Sequence, residues 1–199
     1  MRNVLLVSWL LIPIGAWAYH EGPGQDRVAL EDADAVLVRA HEDAADGNWK
    51  AAVRRYEEAL GKLPVKQEGV VSESTVQRLR LELEKARMKA GGLPDARVAL
   101  DELVEQMAAD PKADKALLGE ARQALAQSQF YMTWLMRLEG IDRKEWEPEI
   151  EAARQNWRLL AEQAGDEATA ARHRSDLESA IRLSRLEIED LQGLPLPGE

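Results

Sequence analysis

Apolar residues in this chain recur at every third and fourth position, in stripes that glycine, proline or aspartate interrupts. That spacing lays each stripe along one side of a helix. A half-buried strand would need strict alternation of apolar and polar residues, and no segment shows it. The first stripe runs Leu30, Ala33, Leu37, Ala40, Ala44 and ends at the turn Asp46-Gly47-Asn48. The second is Ala52, Tyr56, Ala59, Leu63, closed by Pro64. Ser72 is a good N-cap for the third, which is Val76, Leu79, Leu83, Ala86, Ala90 and stops at Gly91-Gly92. Pro94 suits a first helical turn, and Ala96, Leu100, Leu103, Met107 follow it. Asp110-Pro111 is expected to cap the longest helix, with the stripe Leu117, Ala121, Ala124, Ser128, Tyr131, Leu135, Leu138. After Gly140 a lead-in to Pro148 opens the stripe Trp146, Ile150, Ala153, Trp157, Leu160, Ala164. Gly165-Asp166 turns the chain into the last stripe, Ala170, Leu177, Ile181, Ser184, Ile188, Leu191, which Gly193 and Pro195 stop.

The pattern therefore predicts an all-α fold of about seven helices. Short connections force neighbours to run antiparallel, either in a closed bundle or in an open row of stacked hairpins. The longest helix favours the row, because Leu118, Leu125, Met132 and Met136 give it a second apolar face. Its 199 residues are enough for one substantial core, so one helical domain over residues 27–192 is expected, with 193–199 as a tail. Charged residues make up 31% of the chain and alternate in sign along the stripes, as on solvated helix surfaces.

Residues 1–18 read as a signal peptide. Arg2 precedes a short apolar run from Val4 to Ile14, and Ala16 and Ala18 supply small residues before Tyr19. The run is much shorter than the ~20 residues that cross a bilayer, and Pro13 interrupts its end. Cleavage after Ala18 would leave a flexible leader over 19–26 and an exported protein, periplasmic or secreted. The chain has no cysteine, so helix packing alone must stabilise it. A formal net charge of −10 argues against nucleic acid or an anionic membrane as the main partner, since both need a basic face.

The segment Ala33 to Pro64 resembles a tetratricopeptide repeat. Ala52, Tyr56, Ala59 and Pro64 match that family's small, aromatic, small and proline positions, and Gly47-Asn48-Trp49 matches its turn. Small residues let two helices approach, and the ring fills the space between hairpins. Arg39 and Asp43 stand where the family shows a leucine and an aromatic, and Ala96, Leu100 and Leu103 form a degenerate second copy. Helix starts recur at roughly 40–50 residues, longer than the family's 34. The resemblance implies a superhelical scaffold whose concave face grips a peptide or protein segment.

Catalytic and metal chemistry find few candidates. His41-Glu42 begins like a zinc-protease helix, but Ala45 replaces the second ligand. Cleavage after Ala18 puts His20 second in the mature chain, which spoils an amino-terminal copper site. His173 reads as a packed residue. With no thiol nucleophile, no phosphate loop and no cofactor motif, the chain reads as a non-enzyme without cofactor or metal.

Two clusters remain as partner-binding candidates. Phe130 and Trp134, four residues apart, point away from the main stripe of their helix and suit an exposed anchor; a neighbouring hairpin covering both is the plainer alternative. Arg78, Leu81, Lys85, Met88 and Lys89 share a face of the third helix, which the resemblance turns toward the concave groove. Such a strip suits an acidic, amphipathic segment, although a solvated face is the simpler alternative. An interaction scaffold is therefore expected, with a self-associating structural protein of the cell envelope as the alternative.

Overall fold

The computed structural model describes residues 23–63, 71–187 and 190, and within them every regular element is a helix. In chain order these are α1 (Pro23–Ala45), α2 (Trp49–Lys62), α3 (Glu73–Lys89), α4 (Leu93–Ala109), α5 (Lys115–Leu138), α6 (Arg143–Gln163) and α7 (Glu167–Arg185). The signal-cleavage residues Ala16, Ala18 and Tyr19 lie outside the described residues, as do Pro64, Ile188 and Leu191. Helix α1 begins at Pro23, so the second half of the expected leader is helical. Contacts gather into two compact units, residues 1–76 and 77–199, where length alone suggested one domain over 27–192. The boundary falls in the first turn of α3, just past the longest connection in the row.

In the first unit α1 packs against α2. Ala52, Tyr56 and Ala59 are buried on α2, and Ala33, Val36 and Ala40 on α1. Small residues at these positions bring the two backbones close, and Tyr56 fills the remaining gap. Asp43 pairs with Arg55 Nε across the hairpin at 2.9 Å. An ion pair thus stands where the family resemblance would place an aromatic.

In the second unit the helices pack in chain order, α4 on α5, α5 on α6 and α6 on α7. The second helix of each hairpin repeats one buried pattern with spacings of four and three. It reads Ala52, Tyr56, Ala59, then Ala96, Leu100, Leu103, then Trp146, Ile150, Ala153.

Two cores share α5. One joins Leu81 of α3 and Leu100, Leu103, Val104 and Met107 of α4 to Leu117, Ala121, Ala124 and Leu125. The other joins Ala126 and Phe130 to Trp146, Ile150, Ala153, Trp157 and Leu160 of α6 and to Ala180 and Leu183 of α7. To serve both, α5 changes its buried side along its length. Leu117, Ala121, Ala124 and Ser128 are buried as the stripe predicts, but the last turns bury Phe130, Thr133 and Arg137 instead. Leu135 and Leu138, expected inside, are 46% and 53% exposed.

The three hairpin turns are alike. Asn48, Gly92 and Ile141 donate to the carbonyls of Asp43, Arg87 and Met136 at 2.7, 2.9 and 2.9 Å. The glycine before each, Gly47, Gly91 and Gly140, has φ of +77°, +94° and +73°. This is the six-to-one closure of a Schellman end, which satisfies helix carbonyls that would otherwise lack donors. Connections between hairpins use aspartate. Asp114 accepts from Ala116 and Leu117 at the start of α5, and Asp166 from Thr169 at the start of α7. Asp110 therefore closes α4 and does not cap α5, because three further residues intervene. Helix α6 also starts earlier than expected, at Arg143, with Pro148 inside it. The first four N–H groups of a helix have no partner within it, so Pro148 removes a bond only just beyond them.

Gly119 lies inside α5 with open space where a Cβ would point, whereas Gly140 combines open space with its positive φ. Gly119→Ala is therefore expected to stabilise by about 0.5–1 kcal/mol, and Gly140→Ala to destabilise by roughly 1–2 kcal/mol. Opposite shifts of a few degrees in the thermal midpoint, followed by circular dichroism, check the pair.

Candidate partner-binding face

Ion pairs and hydrogen bonds sort the helices of the second unit into two layers. Helices α3 and α5 meet where Glu120 Oε2 lies 3.7 Å from Arg78 Nη1 and 3.9 Å from Lys85 Nζ. Helices α5 and α7 meet where the Arg137 guanidinium donates to the Leu183 and Leu186 carbonyls. On the other side Arg97 Nε of α4 donates to Glu149 Oε2 of α6 at 2.9 Å. The odd helices α3, α5 and α7 thus form one layer, and α4 and α6 the other.

Charge follows the layers. From Gln77 onward the odd helices carry twelve lysines and arginines against six acidic residues. Helices α4 and α6 carry five against nine. Counted by helix, cations therefore predominate in one layer and carboxylates in the other, although Arg80 and Arg122 reach across to Gln106 and Gln163 of the acidic layer and Arg137 is buried. Fields from an excess of one sign reach about a Debye length, ~10 Å at moderate salt.

The sequence-derived strip on α3 is part of this layer, but much of it serves the joint with α5. Leu81 has no exposed surface and Met88 packs partly buried beside it, so both belong to the core shared with α4 and α5. Lys85 also pairs with Glu82 at 2.9 Å. Arg78 keeps half its side chain in solvent, and Lys89 is exposed. Pairs this exposed contribute at most about 1 kcal/mol each.

The aromatic cluster divides. Phe130 has no exposed surface and packs with Trp146, Ile150 and Trp157, so it offers nothing to a partner. Trp134 is half-buried against the same core, with its ring centroid 6.1 Å from that of Phe130. What surfaces near them are Leu135, Leu138 and Ile141, the last 39% exposed. Leu135 and Leu138 sat in the stripe assigned to the core, so no pattern within α5 alone marked them as surface.

Arg137 escaped sequence reading entirely. It caps the last carbonyls of α7 from α5 and lies over Trp146, with Cζ 5.1 Å from the ring centroid. Burial lowers its pKa, and the Glu187 carboxylate opposes that shift. The available signal was a row, Phe130, Thr133, Arg137, at helical spacing beside the expected stripe.

The histidines are scattered. His41 is exposed on α1 and meets Tyr56 edge-on at 5.7 Å, while His20 lies outside the described residues. His173 stacks on Trp157 at 5.7 Å between α6 and α7, and its buried Nδ1 has no hydrogen-bond partner among the described residues. Among those residues no group of three His, Asp or Glu could hold a metal ion, and no helix is long and apolar enough to cross a membrane.

No protein-family model matches the chain, and no curated protein or solved structure is similar to it.

Burial lowers the His173 pKa from its ordinary 6.5; Asp176 opposes this and Arg172 adds to it. Since the folded state holds this proton less tightly than the unfolded state, stability is full above pH 6.5 and declines as pH falls through the folded value. Denaturant midpoints measured between pH 7.5 and 5 are expected to fall, and His173→Gln to remove most of that slope. Phe130→Ala is expected to lower unfolding stability by about 3–5 kcal/mol, against at most about 1 kcal/mol for Lys85→Ala. Urea titration of the two variants distinguishes a core ring from an exposed cation.

Proposed function

We propose that this chain is a non-catalytic interaction scaffold that holds an acidic segment of another protein against the layer formed by α3, α5 and α7. The observation that carries the proposal is the sorting of charge between layers, twelve basic to six acidic on one and five to nine on the other. Two cores joined through one shared helix hold that layer in fixed register, and a rigid face gives up little freedom on binding. The recurring hairpins support a tetratricopeptide-like reading, in which odd helices line the gripping side. The N-terminal residues through Ala18 support export, and with it a partner in the periplasm or outside the cell.

The test uses a fluorescein-labelled peptide of twenty residues with glutamates on one helical side and leucines on the other. Anisotropy is expected to report binding that weakens steeply between 50 and 300 mM salt, as a charge-led encounter requires. The double substitution Arg78→Glu/Lys89→Glu should weaken it at least tenfold, with the far-ultraviolet circular dichroism unchanged. Undiminished binding by that variant would remove the basic layer from consideration.

A further inference from the structure

Among the helices of the second unit, α7 brings the least apolar side chain into its core. Its buried residues are Ala170, His173, Ser179, Ala180 and Leu183, with Leu177 and Leu186 partly buried beside them. Helix α6 brings Trp146, Ile150, Trp157 and Leu160 to the same core. A segment with few buried apolar contacts opens at lower free-energy cost than the domain as a whole. Two fastenings add to the hold on α7. At its C-terminal end the Arg137 guanidinium of α5 donates to the Leu183 and Leu186 carbonyls. In its first half His173 stacks on Trp157, with ring centroids 5.7 Å apart and planes 28° from parallel.

The second fastening responds to protons. His173 is 8% exposed, and its Nδ1 stands 4.0 Å from Asp176 Oδ2, too far for a hydrogen bond. Trp157, on which it lies, has no exposed surface, and its Nε1 has no hydrogen-bond partner among the described residues. Charge around the seam is sparse. On α7, Asp176 favours the protonated ring and Arg172 disfavours it. On α6, Arg154, one turn before Trp157, pairs with Glu151. On α5, the residues that join this core are Ala126 and Phe130, and Arg122 is bonded to Gln163. Burial outweighs the single carboxylate, so the stacked ring holds a proton less tightly than a ring whose helix has come away. We propose that α7 is an acid-released segment, in which protonation of His173 frees the helix from α6 and uncovers the Trp157 side of the core while α3 to α6 stay packed. The proposal adds a location to the pH dependence of overall stability: acid opens one helix before it unfolds the unit. Trp157 and Leu160 then meet solvent in acid and are closed off at neutral pH.

The experiment is amide hydrogen exchange on the full chain, read by mass spectrometry at pH 7.5 and pH 5 and corrected for the intrinsic rate at each. At pH 7.5 the amides of α7 should already exchange about tenfold or more faster than those of α4, the mark of a local opening. Between the two pH values the opening of α7 should grow by about three- to thirtyfold, thirty being the most that one group of ordinary pKa 6.5 contributes at pH 5. His173→Gln and His173→Phe should each remove that growth. The phenylalanine variant keeps a ring on Trp157 but cannot titrate, and each variant is read as the ratio of its own two pH values, so a lowered baseline does not obscure the result. Equal protection of α7 and α4 at both pH values would make the opening global and overturn the proposal. So would an α7 that exchanges no faster at pH 5, or a rise that survives in both variants and so belongs to another group.

Discussion

Helix α5 has to be buried on two different sides, and the second unit is built around that demand. A straight helix with one apolar stripe can serve one core. Here the first half faces α3 and α4 through Leu117, Ala121 and Ala124, and the second half faces α6 and α7 through Ala126 and Phe130. The crossover needs polar atoms inside the helix, and each is satisfied locally. Ser128 Oγ donates to the Leu125 carbonyl and Thr133 Oγ1 to that of Gln129. Gln129 Oε1 accepts from Asn156 on α6 at 3.1 Å. Hydroxyls bonded back to their own helix add no desolvation penalty. They leave room for Phe130, and Arg137 then ties the far end of α7 to the same helix.

Much of the fold was legible because the helices obey local rules. Spacing of three and four located all seven, and glycine marked the three hairpin turns. Ser72 caps α3 as its chemistry suggests, with its Oγ accepting from Thr75 N at 3.2 Å. What could not be read were features set by two neighbours at once. The row ending at Leu135 and Leu138 is as regular as any core stripe, and only the length of α5 relative to α4 turns it outward. Asp110 and Asp114 are both competent caps, and the three residues between them decide which one opens the helix. The strip on α3 divides: Leu81 and Met88 join the core shared with α4 and α5, while Lys89 is exposed. Phe130 was correctly separated from the main stripe; that α6 and α7 would close over it depends on contacts no single helix encodes.

Net charge is a poor guide to this surface. A value of −10 describes the whole chain and not the balance on any one helix. Helices α4 and α6 hold an excess of carboxylates and α3, from Gln77 onward, α5 and α7 an excess of cations, so the average conceals an uneven distribution between helices. Within the basic layer many charges are paired with neighbours, as in Arg174 with Glu167 and Arg182 with Glu178. Such pairs are weak in water, and an incoming carboxylate can compete for their cations.

Each of the two cores described in the second unit is assembled from helices adjacent in the chain, and the glycine-closed turns at Gly91 and Gly140 keep partner helices only a few residues apart. Mean sequence separation between touching residues is therefore short, which puts assembly on the fast side of the range for domains of this size. Each hairpin can form before the next one is complete. At the end of the last helix the Arg137 guanidinium donates to the Leu183 and Leu186 carbonyls, a contact that reaches back only one hairpin along the chain.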